Sequence, residues 1–147
     1  EFDESLKYAD LAGFEGYLNV IRGSRATAEF RKGSAAAVER IRAARDNARS
    51  LEDEYATAVL SQQLAGAYEE LGRYAEAEEA LEIAIAYYAS ASLRPYLAAA
   101  WDLKARILDG AGRADEAEEA RRVAELQRTP PHPASVSPDA QAAGVTA

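Results

Sequence analysis

Leu64–Ala84 reads LAGAYEELGRYAEAEEALEIA, and the fold follows from its spacing. Leu64, Ala65, Tyr68 and Leu71 fall three or four residues apart, one face of a helix, until Gly72 ends the run. After Gly72-Arg73 the pattern restarts, and Glu76, Glu78 and Glu79 suit the positive N-terminal end of a second helix. Two amphipathic helices separated by so short a break form an antiparallel hairpin.

The same reading extends outward. Residues 53–71 form the first helix of this hairpin, with Tyr55, Ala58 and Leu60 on its apolar stripe. Upstream, 34–48 reads as an amphipathic helix with Ser34 as N-cap and Ala37, Val38, Ile41, Ala44 and Ala48 on one side. Residues 6–31 are helical through Leu6, Ala9, Leu11, Phe14, Tyr17, Leu18 and Ile21, with a break or kink expected near Gly23. Downstream, Leu97–Leu108 is entered just after Pro95, tolerated in a first turn, and closed by Gly110 and Gly112. Residues 114–128 supply its partner helix.

Self-similarity then organises the chain. Ala37, Ala77 and Ala117 recur every 40 residues, as do Glu39, Glu79 and Glu119, and Ala44, Ala84 and Ala124. Position 41 is matched by Leu81 and Arg121, and Gly72-Arg73 by Gly112-Arg113. The middle unit resembles the tetratricopeptide repeat in Leu64-Ala65, Tyr68, Gly72, Tyr74, Ala77, Leu81 and Ala84. The third unit supplies Trp101, Ala105, Leu108, Gly112, Ala117 and Ala124, but departs from the pattern at Lys104 and Arg121, and its proline, Pro130, falls one step late. The first unit keeps only the second-helix signature. A period longer than the family's usual 34 is similar to kinesin-light-chain-type or bacterial regulatory repeats.

The resemblance implies an all-α fold, a right-handed α-solenoid of about three antiparallel helical hairpins, with units near 6–48, 53–90 and 96–128. Arg121, where the second unit has Leu81, implies a capping helix that faces solvent and ends the stack. Residues 129–147 are rich in Pro, Ser and Ala and are expected to be a tail or linker.

In that family the first helix of each hairpin lines a concave groove that holds a peptide or helix of a partner protein. The residues so implied are Asn19, Arg22, Ala26 and Glu29, then Val59, Gln62, Gly66 and Glu69, then Ala99, Asp102, Arg106 and Asp109. Arg22, Gln62, Glu69, Asp102, Arg106 and Asp109 are the candidates for partner contact, the arginines through a carboxylate or carbonyl. The Lys/Asn set with which some members clamp chaperone C-termini is not present. An interaction module, scaffold or adaptor is the leading expectation. A regulatory or sensory segment of a larger signalling or transcription-regulating protein is the alternative.

Composition narrows the chemistry. The 147 residues include no Cys, which removes disulfides, thiolate metal sites and cysteine nucleophiles, and the single His132 lies among prolines. No catalytic residue, cofactor or metal site is expected, and the acid pairs Glu69-Glu70 and Glu78-Glu79 point about 100° apart on a helix. The net charge of -8 disfavours nucleic acid and anionic membrane as partners. No apolar run reaches the roughly 20 residues of a membrane span, and a cytoplasmic location is expected. A chain that opens on Glu1-Phe2 and lacks Met reads as a fragment or a processed form, so a removed signal peptide would leave no trace.

Charge is uneven: residues 22–49 hold eight basic against three acidic residues, and 51–90 hold one basic against nine acidic. Steering of a partner, head-to-tail self-association and simple solvated outer faces all fit. Tyr87, Tyr88, Tyr96 and Trp101 gather near the junction of units two and three, at a spacing that suits core as well as contact.

Overall fold

The computed structural model describes residues 15–31 and 35–129, and the side chains from residue 18 onward within them. These residues fold into six α-helices: α1 Glu15–Arg31, α2 Ala37–Ser50, α3 Glu54–Glu70, α4 Tyr74–Ser90, α5 Arg94–Gly110 and α6 Ala114–Arg128. No strand occurs among the described residues. The expected N-cap Ser34, the stretch from Leu6 to Phe14 and residues 130–147 lie outside them.

From α3 onward the chain keeps time. The backbone enters the left-handed region at Glu52, Gly72, Ser92 and Gly112, one such residue every 20 positions. Each follows a helix and forms the same closure. The N–H of Gly72 donates to the Glu69 carbonyl, and that of Arg73 to the Tyr68 carbonyl. The same two bonds recur at Glu52/Asp53, Ser92/Leu93 and Gly112/Arg113. This Schellman closure needs a left-handed residue just past the helix, which glycine adopts freely and an L side chain adopts at a cost of about 1–2 kcal/mol. Glu52→Gly and Ser92→Gly are therefore each expected to raise stability by about 0.5–1 kcal/mol in urea unfolding, the gain trimmed by the greater freedom of glycine in the unfolded chain.

Helix starts repeat too. Arg73, at the N-cap of α4, donates from Nε and Nη2 to the Glu76 carboxylate at 2.6 and 2.8 Å. Arg113 does the same to Glu116 before α6, and its Nη1 reaches Glu78 of α4 at 2.8 Å. The hydrogen bond from Arg73 holds the Glu76 carboxyl below its ordinary range, and Arg113 does so for Glu116. A carboxyl lowered in the folded state adds stability above its unfolded value, about 4.3, and loses it as pH falls toward the folded value. Stability should thus decline below about pH 4.3, and Glu76→Gln with Glu116→Gln should flatten that decline in a pH series of melting curves.

Side-chain packing fixes the helix order in space. Every helix packs on its chain neighbours, and α1 also touches α3, and α3 touches α5. The backbones of the second helices, α2, α4 and α6, nowhere come close to one another; side chains of α2 and α4 line a common cavity instead. The repeated alanines sit at the crossings: Ala37, Ala77, Ala117, Ala84 and Ala124 have no exposed surface. A methyl group is all that fits between helix backbones this close. The main core runs from Ala26 and Ile41 through Leu64, Tyr68 and Leu81 to Tyr88, Leu97 and Ile107. In contrast, α6 buries only Ala117, Ala120 and Ala124.

Of the break or kink expected near Gly23, the break does not occur, because α1 is continuous from Glu15 to Arg31. Glycine serves proximity there: a Cβ at Gly23 would lie 1.9 Å from Leu60 Cδ2. Gly110 has a related role, since a Cβ there would meet the Tyr74 ring at 2.4 Å. The missing side chain at Gly110 leaves room for the first turn of α4 against the last turn of α5.

Candidate partner-binding groove

Because α1, α3 and α5 touch in sequence, their outer sides form one continuous surface, and a cavity of about 450 Å³ opens on it. Thr27, Phe30 and Arg31 border it from α1, Val59, Gln62 and Gly66 from α3, and Ala99, Leu103 and Arg106 from α5. Gly66, Ala67 and Ala99 line it with small side chains. Phe30, Tyr55 and Tyr96 line it with large rings.

Tyr88 of α4 reaches through the gap between α3 and α5 to complete the floor. Its side chain is fully buried, and its hydroxyl donates to Gln62 Oε1 at 2.9 Å. Burial pushes this phenol well above its ordinary pKa, so it stays a neutral donor. On the other side Thr27 Oγ1 lies 3.1 Å from the Gln63 amide oxygen and 2.9 Å from the Gly23 carbonyl. Both amides of the Gln62-Gln63 pair are therefore held by neighbouring helices.

At one end four tyrosines meet, three pairs edge to face and Tyr88–Tyr96 tilted. Tyr55 packs on Tyr87 and on Tyr96 with ring centroids 6.5 Å apart in each case, and Tyr88 packs on Tyr87 at 6.2 Å and on Tyr96 at 5.3 Å. Tyr55 and Tyr96 are each 44% exposed although their rings are pinned by the others. Such fixed, half-open aromatic surface carries much of the energy at protein interfaces.

The structure divides the six residues implied by the repeat pattern. Gln62 and Arg106 border the cavity. Glu69 stands beside them, its Oε1 3.8 Å from Arg106 Nε, so the two charges partly satisfy each other. Asp102 and Asp109 turn instead toward α6, where they pair with Arg128 and, at 2.8 Å, with Arg121. Arg22 opens from a different side of α1 into a separate cavity of about 740 Å³ against α2, shared with Asn19, Arg25, Glu29, Arg40 and Asn47. There Arg40 and Arg25 both approach Glu29, and Asn47 donates to the buried Asn19 at 3.0 Å.

The repeat pattern did not single out Phe30, Tyr55 or Gln63 for this surface. A signal existed for Tyr55: it lies 41 positions before Tyr96, which puts both tyrosines at the same end of parallel helices. Trp101, grouped with the tyrosines by sequence, lies apart under Lys104, whose Nζ is 5.2 Å from the ring centre. Among the described residues no cluster of His, Asp or Glu has the grouping of a metal site, and no helix is long and apolar enough to cross a membrane. Compared with known proteins, the chain matches no family, no curated protein and no solved structure.

Proposed function

We propose that this chain is a protein–protein interaction module of tetratricopeptide type, a right-handed stack of about three hairpins that holds a peptide or helix of a partner protein on its α1/α3/α5 surface. The observation that carries the reading is the asymmetry of packing: the backbones of the first helices approach one another in order, while those of the second helices do not. A stack bent this way gathers its first helices on the inside, where an elongated ligand meets several units at once. Gln62, Arg106 and the exposed rings of Tyr55 and Tyr96 offer the mixture of fixed amide, cation and aromatic surface that anchors peptides. The module acts by binding alone, as a scaffold or adaptor.

Photo-crosslinking tests this. A crosslinking side chain placed at Gln62 should capture a defined set of proteins that the same group at the outward Glu79 does not, and Arg106→Glu should reduce the Gln62 products at least several-fold. Equal capture at both positions, unaffected by Arg106→Glu, would remove the groove from consideration.

A further inference from the structure

We infer that the tyrosine-lined end of the groove is a docking surface for an extended proline-rich segment, and that its resident occupant is this chain's own Pro130-Pro131-His132-Pro133. The inference rests on the groove reading and names the chemistry the groove takes.

Three observations carry it. The first is the kind of surface. Tyr55 and Tyr96 present half-open rings held by Tyr87 and Tyr88, with phenol hydroxyls at their rims. A wall made of helices has no free backbone edge to pair with a strand. An occupant there does best if its own backbone needs no ladder, and proline meets that condition because it lacks an N–H and presents a flat apolar ring and a strong carbonyl acceptor. Consecutive prolines also hold the extended polyproline conformation in advance, so little chain entropy is lost on docking.

The second is supply. Of the five prolines, Pro95 opens α5 and the other four are Pro130, Pro131, Pro133 and Pro138. The proline-rich stretch begins two residues after the last helix ends at Arg128.

The third is position. Arg94, the first residue of α5, donates from Nη2 to the Leu126 carbonyl at 2.8 Å. This bond ties the last turn of α6 to the turn of α5 that carries Tyr96. The chain therefore leaves α6 at the tyrosine end of the groove. A helix is about 10 Å across, and a polyproline segment advances about 3.1 Å per residue, so the stretch from Thr129 to Pro133 is long enough to cross α5 and lie against Tyr96 and Tyr55. Docked there, it would occupy the place a partner needs, and a partner would have to displace it.

The test uses the full chain and compares proline ring-proton shifts at 130, 131 and 133 with those of a free peptide spanning 129–138. Docking predicts upfield shifts in the full chain that do not depend on protein concentration. Tyr96→Leu and Tyr55→Leu should each return them to the free-peptide values with helix content by circular dichroism unchanged. If Tyr96→Leu lowers helix content, Tyr55→Leu alone decides. Full-chain shifts equal to those of the peptide would overturn the inference, and shifts that grow with concentration would overturn the intramolecular occupant in favour of a second copy. Crosslinking from Gln62 is scored on partner proteins, so the groove reading can stand or fall separately.

Discussion

Leu81→Ala should lower the stability of the chain by about 2–5 kcal/mol, whereas Arg121→Ala should change it by no more than about 0.5 kcal/mol. The two residues occupy the same place in units 40 positions apart. Leu81 is 0% exposed and belongs to the core that runs from α1 to α5. Removing most of its side chain discards the transfer energy of the lost atoms and leaves a cavity between helices that cannot close around it. Arg121 is 46% exposed and pairs with Asp109 and Glu118 on the surface, where ion pairs add little. Urea unfolding of both variants measures the contrast. Similar losses at the two positions would mean that Arg121 is packed as Leu81 is.

Gly23→Ala is expected to destabilise by up to about 2 kcal/mol, against the direction that helix propensity gives. Alanine in place of glycine inside a helix favours folding by about 1 kcal/mol. At Gly23, however, the new methyl group would sit 1.9 Å from Leu60 Cδ2. Leu60 is itself fully buried against Ala44, Ala48 and Ala56 and has little room to turn. Crowding a packed core costs about 1–3 kcal/mol, so the contact outweighs the propensity gain. A stabilised variant would show that α1 and α3 stand further apart than described, and thermal melting distinguishes the two signs.

The all-helical class was legible because apolar residues recur at helical spacing and because glycine marks two of the hairpin turns. Gly72 and Gly112 announce their left-handed turns, but Glu52 and Ser92 adopt the same conformation without a glycine signal. Only the 20-residue rhythm of helix and turn points to them. Gly23 was misleading for a related reason. A glycine in a helix can signal a break or a close approach, and the choice lies with Leu60, 37 positions away.

The candidate site was legible in part on the same grounds. The resemblance reached the groove at Gln62 and Arg106, which border the cavity from α3 and α5. Arg22 did not follow, since α1 turns Gly23 and Thr27 toward α3 and leaves Arg22 on the α2 side. Asp102 and Asp109 were drawn instead to Arg128 and Arg121 of α6, partners 26 and 12 positions away that the repeat pattern does not reveal. The tyrosine quartet depends on rings from three helices meeting at one end, which no single segment displays.

Central to the whole account is that first helices form one continuous surface while second helices stay apart. Nuclear Overhauser contacts in the full chain address it directly. Cross-peaks are expected from the Leu60 methyl groups to Gly23 Hα and from the Tyr88 ring to the Tyr96 ring, and none between backbone protons of α2 and α4 or of α4 and α6. Absence of the Leu60–Gly23 contact, or a set of close backbone contacts between α2 and α4, would contradict it.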